Sequence, residues 1–557
     1  MHIVLDRAPD GGVTATSVDA AGSPVEARRL AASDLAAFVR ARERERPRWV
    51  WWSTAAWYPA LLAAGVRVER CVDLALCRRI LRNSLLTAGS DLARQPASAW
   101  DDGPPAAPSP APTGPALFDI EPAPPSGAPD PVLELHAQLA AVAGAAQPAR
   151  IRLLLAAESA GALVAAEIRH TGMPWRADVH DAVLTEALGP RPADGQRPAR
   201  LEVLAMAIRE LLDAPTLNPD SQPELLAALR RAGLDVASTR KWELREVEHP
   251  VITPLLEYKN LYRLYTANGW AWLDTWVRDG RFRPDYVVGG VVTGRWATSG
   301  GGALQLPKNI RRAVVADPGW KLVVADAAQL EPRVLSGLAS DRAMADAGRG
   351  RDLYDSVVAS GAVASRHEAK VAMLGAMYGA TTGDSARLKP RLARAFPQAV
   401  ALVDQAALQG ERGEQVMSRL GRTSPRPGPQ WRAVQERASE PGASAADERR
   451  ARSQARDWGR FTRNFVVQAS AAEWALCWMA DLRLRLAELG EGRLESGPHL
   501  VFFLHDELMV HTPEPLAPQV EELVRESARA AGRLLFGTFP VDFPLQVATV
   551  DTYADAK

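Results

Sequence analysis

The sequence predicts a multidomain α+β protein, and three observations carry that reading. At 557 residues the chain has room for three or four domains with substantial cores. Apolar runs of strand length occur near the N-terminus (His2–Leu5, Arg48–Trp52), at Lys321–Ala325 and around His499–His511, whereas the region after about residue 132 shows apolar residues at helical spacing. Between the first strand-bearing region and those helices lies a stretch dense in Pro, Ala, Ser and Gly, residues 96–131, which reads as an extended linker.

Composition narrows the function classes. Lys plus Arg and Asp plus Glu both number 66, so no global charge advertises nucleic acid, and any contact with it must come from local basic patches. The three cysteines (Cys71, Cys77, Cys477) form no CxxC pair, which argues against a disulfide or zinc framework. The N-terminus lacks a basic segment followed by a signal-like apolar core, and no run of about 18 apolar residues suggests a membrane span. A cytoplasmic protein without a membrane partner is expected.

In chain order, residues 1–95 mix strand-like and helical segments and suggest a small α/β domain. From 132 onward, Leu133–Val142, Leu163–Ile168, Arg200–Leu212 and Glu224–Ala232 read as amphipathic helices, the last with Ser221 as its N-cap. Lys321–Ala325 reads as a buried strand that carries Asp326 to its end, and Pro332 suits the first turn of a following helix. An aspartate at a strand end is common, so by itself it does not establish a metal site. On the helical stretch beginning at Arg366, steps of four align Arg366, Lys370, Leu374 and Tyr378. Two cations, an apolar residue and an aromatic in that order fit a triphosphate below a sugar and base. Residues 421–458, rich in Gly, Pro, Ser, Ala and Arg, read as a long surface insertion. A helix beginning at Arg460 then repeats polar residues at Arg460, Asn464 and Gln468. Finally, His499–His511 reads as a hairpin lifting His505, Asp506 and Glu507 at its tip.

Three of these stretches, in this order, resemble motifs A, B and C of the family A DNA polymerases, the bacterial DNA polymerase I or Klenow-fragment type. The motifs are Asp326–Arg333, Arg366–Gly379 and His505–Glu507. Thr293-Gly294-Arg295 followed by Leu304-Gln305-Leu306-Pro307 is similar to another family segment, and Arg460, Asn464 and Gln468 match a third. The resemblance implies a right-hand polymerase (palm, fingers, thumb) preceded by a small α/β exonuclease-like domain, as in proteins described as bifunctional 3′-5′ exonuclease/DNA polymerase. The domains expected are 1–95 exonuclease-like and degenerate, 96–131 linker, 132–290 a mostly helical thumb, and 291–341 the first part of the palm. Fingers over 342–458, including the 421–458 insertion, and the second part of the palm over 459–557 complete the chain.

The resemblance also implies site roles. Asp326, Asp506 and the backbone carbonyl of Ala327 would hold two Mg²⁺ ions, with Mn²⁺ as a substitute. Glu507 would support them, and Lys370 would act on the leaving pyrophosphate. Gln329, Glu331, Arg366, Lys370, Leu374 and Tyr378 would bind the deoxynucleoside triphosphate. Arg295, His505, Arg460, Asn464, Gln468, Arg240, Lys241 and Lys259 would contact primer–template DNA. A monomeric, nucleoid-associated nucleotidyltransferase for replication or repair is the expected protein. A catalytically weak or silent DNA-binding relative, and a polymerase with residual exonuclease activity, are the alternatives.

The chain departs from the family pattern at several positions. Ala327, Ala328 and Pro332 replace the usual Tyr, Ser and Leu of motif A, and Leu374 replaces the aromatic residue that packs on the incoming nucleotide. Asp352-Leu-Tyr354 stands where relatives have Asp-Ile-His, and Ala469 and Glu473 replace Gly and Asp. In the N-terminal region Asp6 has no Glu two residues later, and Asp73 is free to serve as a helix cap. Phe118-Asp119-Ile120-Glu121 spells an exonuclease motif, but inside the linker, where rigid metal ligands are not expected.

Overall fold

A computed structural model describes residues 1–8, 10–101, 130–193, 195–302, 306–359, 361, 363–379 and 383–556, with the side chains of 383–386 left aside. The Asp119–Glu121 motif and Gln305 lie outside the described residues. The chain forms two compact units: Met1–Thr171 with Tyr286–Ser299 and Val323–Ala548, and Gly172–Asp285 with Gly300–Leu322 and Thr549–Lys557.

The first unit begins with a five-stranded sheet of β1 (His2–Arg7), β2 (Val13–Val18), β3 (Pro24–Leu30), β4 (Arg48–Trp51) and β5 (Cys71–Asp73), in the order β3-β2-β1-β4-β5. β4 runs parallel to both β1 and β5, whereas β1–β2 and β2–β3 are antiparallel. Alternation along the central strands divides two cores. Ile3, Leu5, Trp49 and Trp51 pack with Leu61, Leu62 and Leu163, while Val4 and Val50 pack with Trp100 and Leu135. Helices Pro131–Ala143 and Pro148–Thr171, which the sequence suggested as the start of the thumb, thus supply Leu135 and Leu163 to the cores on the two faces of this sheet.

A second sheet of four strands orders the hairpin strand His499–Leu504, its partner Glu507–Pro513, the strand Trp320–Ala327 and the strand Leu545–Val550. Helix Leu330–Ala339 follows the third of these, with Pro332 in its first turn as expected. Helix Arg366–Tyr378 buries Ala369, Ala372, Met373, Ala376 and Met377 in a core shared with Leu388, Val403 and Phe465.

Residues 421–458, read in the sequence as a surface insertion, are largely helical. Gly421–Ser424 are buried, Pro429–Ala438 is a helix, and the next helix begins at Ala445 and runs for 45 residues to Leu489. Its N-terminus carries a capping box in which Ser444 and Asp447 satisfy each other's backbone amides. Glu448 and Arg452, one turn apart, add an exposed pair at 3.0 Å. Local capping and helix-favouring Ala, Arg and Glu outweigh the compositional loop signal.

The second unit is mainly helical, with helices Ala177–Leu188, Ala199–Leu211, Gln222–Arg231 and Ile252–Asn268. Ser221 caps the third, accepting from the Glu224 amide at 3.4 Å. An aromatic cluster of Trp175, Trp272 and Phe282 around buried His180 forms part of its core. No helix among the described residues is long and apolar enough to cross a membrane.

Candidate functional site

The site is assembled where the second sheet ends. The Ala327 amide donates to the Asp506 carbonyl at 2.8 Å, so the residue after Asp326 is stitched to the tip of the hairpin. Leu504 and Glu507 form the last pair of the hairpin, leaving His505 and Asp506 as a two-residue turn. His505 takes a left-handed φ of 56°, and the Asp506 amide closes the turn on the Leu504 carbonyl at 2.7 Å. Both aspartates remain half-buried, whereas Glu507 is buried.

Residues from five separate segments converge beside this tip. Glu331, in the first turn of its helix, accepts from the Arg295 guanidinium and from the Tyr378 hydroxyl. Tyr378 also bonds Gln468. Burial, and then the Glu331 carboxylate, push the Tyr378 hydroxyl well above its ordinary value. His505 is shifted in the opposite direction, lowered first by burial and then by the Arg295 charge. Arg295, Glu331, His505 and Asp506 border a cavity of about 70 Å³ backed by Phe503 and Met479.

Along helix Arg366–Tyr378, Arg366 and Lys370 are exposed and Tyr378 is half-buried, whereas half-buried Leu374 packs against the core. Ser365 caps its start, and Gly379, at φ 72°, ends it in the left-handed conformation that glycine adopts without cost. Arg366 pairs with Asp352 at 2.7 Å and lies over the Tyr354 ring at 5.5 Å. Asp352 also accepts from the Tyr354 and Asp355 amides, so one carboxylate caps the neighbouring helix and holds the cation. Gln329 is occupied as well. At a left-handed φ of 58° it precedes its helix, and its side-chain oxygen accepts from the Leu353 amide at 2.9 Å.

On the long helix Ala445–Leu489, Arg460 pairs with Asp457, while the Asn464 side-chain oxygen is buried without a hydrogen-bond partner. In the second unit, Arg240 and Lys241 are exposed on a turn that is held from within. Glu243 accepts from the Ser238 amide at 3.0 Å, and Lys259 donates to the Thr239 hydroxyl at 2.8 Å. Lys259 therefore braces the turn that presents the other two cations.

Two buried arginines belong to the site's framework and carried no assigned role in the sequence. Arg333 donates to the carbonyls of Ala328 at 3.0 Å, Gly348 at 2.8 Å and Arg351 at 2.8 Å, and to Asp542 at 2.6 Å. It ties the Asp326 loop to the chain that precedes Asp352. Arg463 donates to the Ala376 carbonyl and to Asp404, fixing the C-terminal turn of the stripe helix. The available signal was a cation inside an apolar helical run, which must be paired when buried.

The first sheet also ends in acids. Asp6 is exposed on β1, and Asp73 caps helix Leu74–Asn83, accepting from Leu76 at 3.1 Å and from the Thr54 amide at 2.7 Å. Among the described residues no group of three or more His, Cys, Asp or Glu gathers as a metal site. The Asp326–Asp506 pair with the Ala327 carbonyl nevertheless suits Mg²⁺ or Mn²⁺. All three donors are hard oxygens, and Mg²⁺ is commonly held by one or two carboxylates, taking its remaining ligands from water and phosphate.

Comparison with known proteins extends this geometry. The family model described as DNA polymerase family A matches residues 196–552, well over half of the chain. The chain belongs to DNA polymerase family A. It is 27% identical over 330 residues to the thermostable DNA polymerase I of Thermus filiformis, covering 54% of this chain and 35% of that protein. It is 28% identical over 338 residues to the DNA polymerase I of Chloroflexus aurantiacus, covering 56% of this chain and 33% of the relative. The chain thus spans about a third of the length of these curated relatives. Among solved structures, the polymerase domain of Pol1 from M. smegmatis, in complex with DNA primer-template and dNTP, superposes with a TM-score of 0.66. At 18% identity, and covering 100% of this chain and 95% of that one, it shows a shared fold. The family A match contains every site residue described above except Asp6 and Asp73.

Proposed function

We propose that this family A chain is a template-directed DNA polymerase that extends a primer 3′-hydroxyl with deoxynucleoside triphosphates. The observation that carries the reading is the bond from the Ala327 amide to the Asp506 carbonyl, which brings Asp326 and Asp506 to one strand-end neighbourhood. In the reaction the primer 3′-hydroxyl releases its proton to solvent and its oxygen bonds to the α-phosphorus as the bond to the bridging oxygen of the β-phosphate breaks, and pyrophosphate leaves. Asp326, Asp506 and the Ala327 carbonyl would hold two Mg²⁺ ions. When bound, these supply charge neutralisation at the phosphates and a more acidic 3′-hydroxyl.

The other steps belong to the chain's own side chains. Lys370, exposed on its helix, meets the departing phosphates and donates a proton to them, and Arg366 exchanges Asp352 for a phosphate oxygen. Glu331 stands against a ribose 2′-hydroxyl, which supports selection of deoxynucleotides. Gln329 supports the nucleotide pocket through the Leu353 amide, Tyr378 packs near the templating pair, and Glu507 buttresses the carboxylates. Leu374 supplies no aromatic face, which weakens nucleotide binding by roughly 1–3 kcal/mol relative to a stacked ring. Arg295 and His505 read the minor-groove acceptors present at every Watson–Crick pair. Arg460, Asn464 and Gln468 follow the template, and Arg240 and Lys241 contact duplex phosphates, with Lys259 behind them.

Palm (291–341 and 459–557), fingers (342–458) and thumb (132–290, of which 172–285 belongs to the second unit) would divide the work, in one chain acting as a monomer on nucleoid DNA in the cytoplasm. Proofreading is proposed to be absent, because Asp73 serves as a helix cap and Asp6 has no acidic neighbour on β1. A 5′-labelled primer–template with Mg²⁺ and dNTPs tests the reading. The parent should lengthen the primer and should not shorten it when dNTPs are withheld. Neither change in the parent would favour a silent DNA-binding relative, and shortening lost in Asp6→Ala would restore an editing activity.

A further inference from the structure

The loop carrying Arg295 rests on a buried ion pair that no motif predicts. Arg422 donates to Glu158 at 2.7 Å, with side chains 9% and 0% exposed. Two loop glycines sit directly on this pair. A Cβ on Gly289 (φ 57°) would lie 2.3 Å from Glu158 Oε1, and one on Gly294 (φ 83°) 2.4 Å from Arg422 Nε. Those same atoms, Glu158 Oε1 and Arg422 Nε, are buried without hydrogen-bond partners. The unsatisfied ends of the pair therefore point at the two glycine positions that bracket the loop.

We propose that Glu158 and Arg422 form a positioning pair that sets the Arg295 loop, and through Arg295 the Glu331–Tyr378 contact at the primer terminus. The proposal rests on the polymerase reading above and assigns that site a further specificity determinant. Arg422 is itself rigidly held. Its amide donates to the Ser418 hydroxyl at 2.8 Å, its carbonyl accepts from the Ser418 amide at 2.8 Å, and the Leu420 amide donates to Glu473 at 2.8 Å. From the other side, the Ser84 hydroxyl donates to the Gly421 carbonyl at 2.7 Å, and the Leu85 amide to the Thr423 hydroxyl at 3.0 Å. The loop closes on itself above the pair, with the Gly294 amide on the Val291 carbonyl at 2.8 Å and the Val291 amide on the Arg295 carbonyl at 3.2 Å. Lysine at 422 would keep the charge but lose the planar fork that spans both Glu158 and the glycine. A side chain at 294 would push the backbone off the guanidinium.

A double-mutant cycle tests the proposal. Single-nucleotide insertion and duplex affinity are measured for Arg422→Lys, Glu158→Gln and Gly294→Ala, each in the parent and in an Arg295→Ala background. The expected result is about a tenfold loss of insertion rate in the parent with duplex affinity within about twofold, and less than about a twofold further loss once Arg295 is absent. The preference for matched over mismatched primer ends should fall in the same variants. Equal losses in both backgrounds, or no loss, would overturn the proposal and leave a purely structural pair. Gly294→Ala keeps both charged groups, so it decides the case if removing a charge prevents folding. Hydrogen exchange over residues 288–296 separates this inference from the function it rests on. Faster exchange in Arg422→Lys, with a parent that extends no primer, would retain the platform and overturn the polymerase reading. Unchanged exchange with an active parent would do the reverse.

Discussion

The first unit contains two sheets that each bring aspartates to strand ends, and they use them differently. At the first sheet, Asp73 is buried and bound to two backbone amides, while Asp6 is exposed on β1. At the second, Asp326 and Asp506 stay half-buried at adjoining strand ends, and the Ala327 amide donates to the Asp506 carbonyl. A following helix can take a strand-end acid as its cap, as Leu74–Asn83 takes Asp73. The buried acids near the two sheets diverge in the same way. Burial would raise Glu167, yet the charges of Arg483 and Arg67 pull it down to about 2. Glu473, held by the Ser418 hydroxyl and the Leu420 amide, is pushed up by burial to about 7.

The largest expected break in this comparison is between its aspartates. Asp506→Ala should lower primer extension on the order of a thousandfold or more while leaving duplex affinity nearly intact. Asp73→Ala should leave the rate alone and cost about 1 kcal/mol of stability, as loss of a helix cap does. Equal extension by both variants, measured by gel, would erase the distinction between the sheets.

The ionic clusters come next. Arg483→Met leaves Glu167 only Arg67 and Tyr58 as side-chain partners and should destabilise the protein by about 3–5 kcal/mol at neutral pH, seen in urea unfolding. Because the folded pKa of Glu167 is depressed, its stabilising contribution is present above the unfolded carboxylate value and fades as pH falls toward about 2. Glu473 has the opposite sign. The unfolded chain ionises first, so stability should fall by about 3 kcal/mol as pH rises from about 4.5 to about 7 and then level off. Glu473→Gln should flatten that slope; an unchanged pH profile of unfolding would show that Glu473 is not its source.

Smaller effects sharpen the reading of the second sheet's surroundings. Leu374→Phe should tighten nucleotide binding by about 1–3 kcal/mol, read as a lower KM for dNTPs. Glu331→Ala should raise ribonucleotide incorporation about tenfold, and unchanged sugar selectivity would remove Glu331 from that role. Lys241→Ala should reduce the slope of log affinity against log salt by about one, the share of a single phosphate contact.

Much of this organisation was legible because it is local. Apolar periodicity marked the strands at His2, Lys321 and His499 and the main helices, and four-residue steps placed Arg366, Lys370, Leu374 and Tyr378 on one face. Ser221 and Asp73 announced themselves as caps. At 421–458 composition pointed to a surface segment, and helix Pro429–Ala438 buries no residue, but Gly and Pro signals hid the Ser444 capping box and the helix-forming run after it.

By itself, then, the sequence determined element types and the order of the motifs, which follow from spacing along one chain, and the family resemblance of those motifs implied which acids and cations gather at one site. Only the tertiary structure decided that Glu331 closes onto Arg295 and Tyr378, that Arg366 is held by Asp352, that Arg333 and Arg463 lock the framework, and that Glu158 and Arg422 underlie two glycines of the Arg295 loop. Each joins residues distant in sequence, and a buried charge declares its partner only when packing has removed the water that would otherwise serve it.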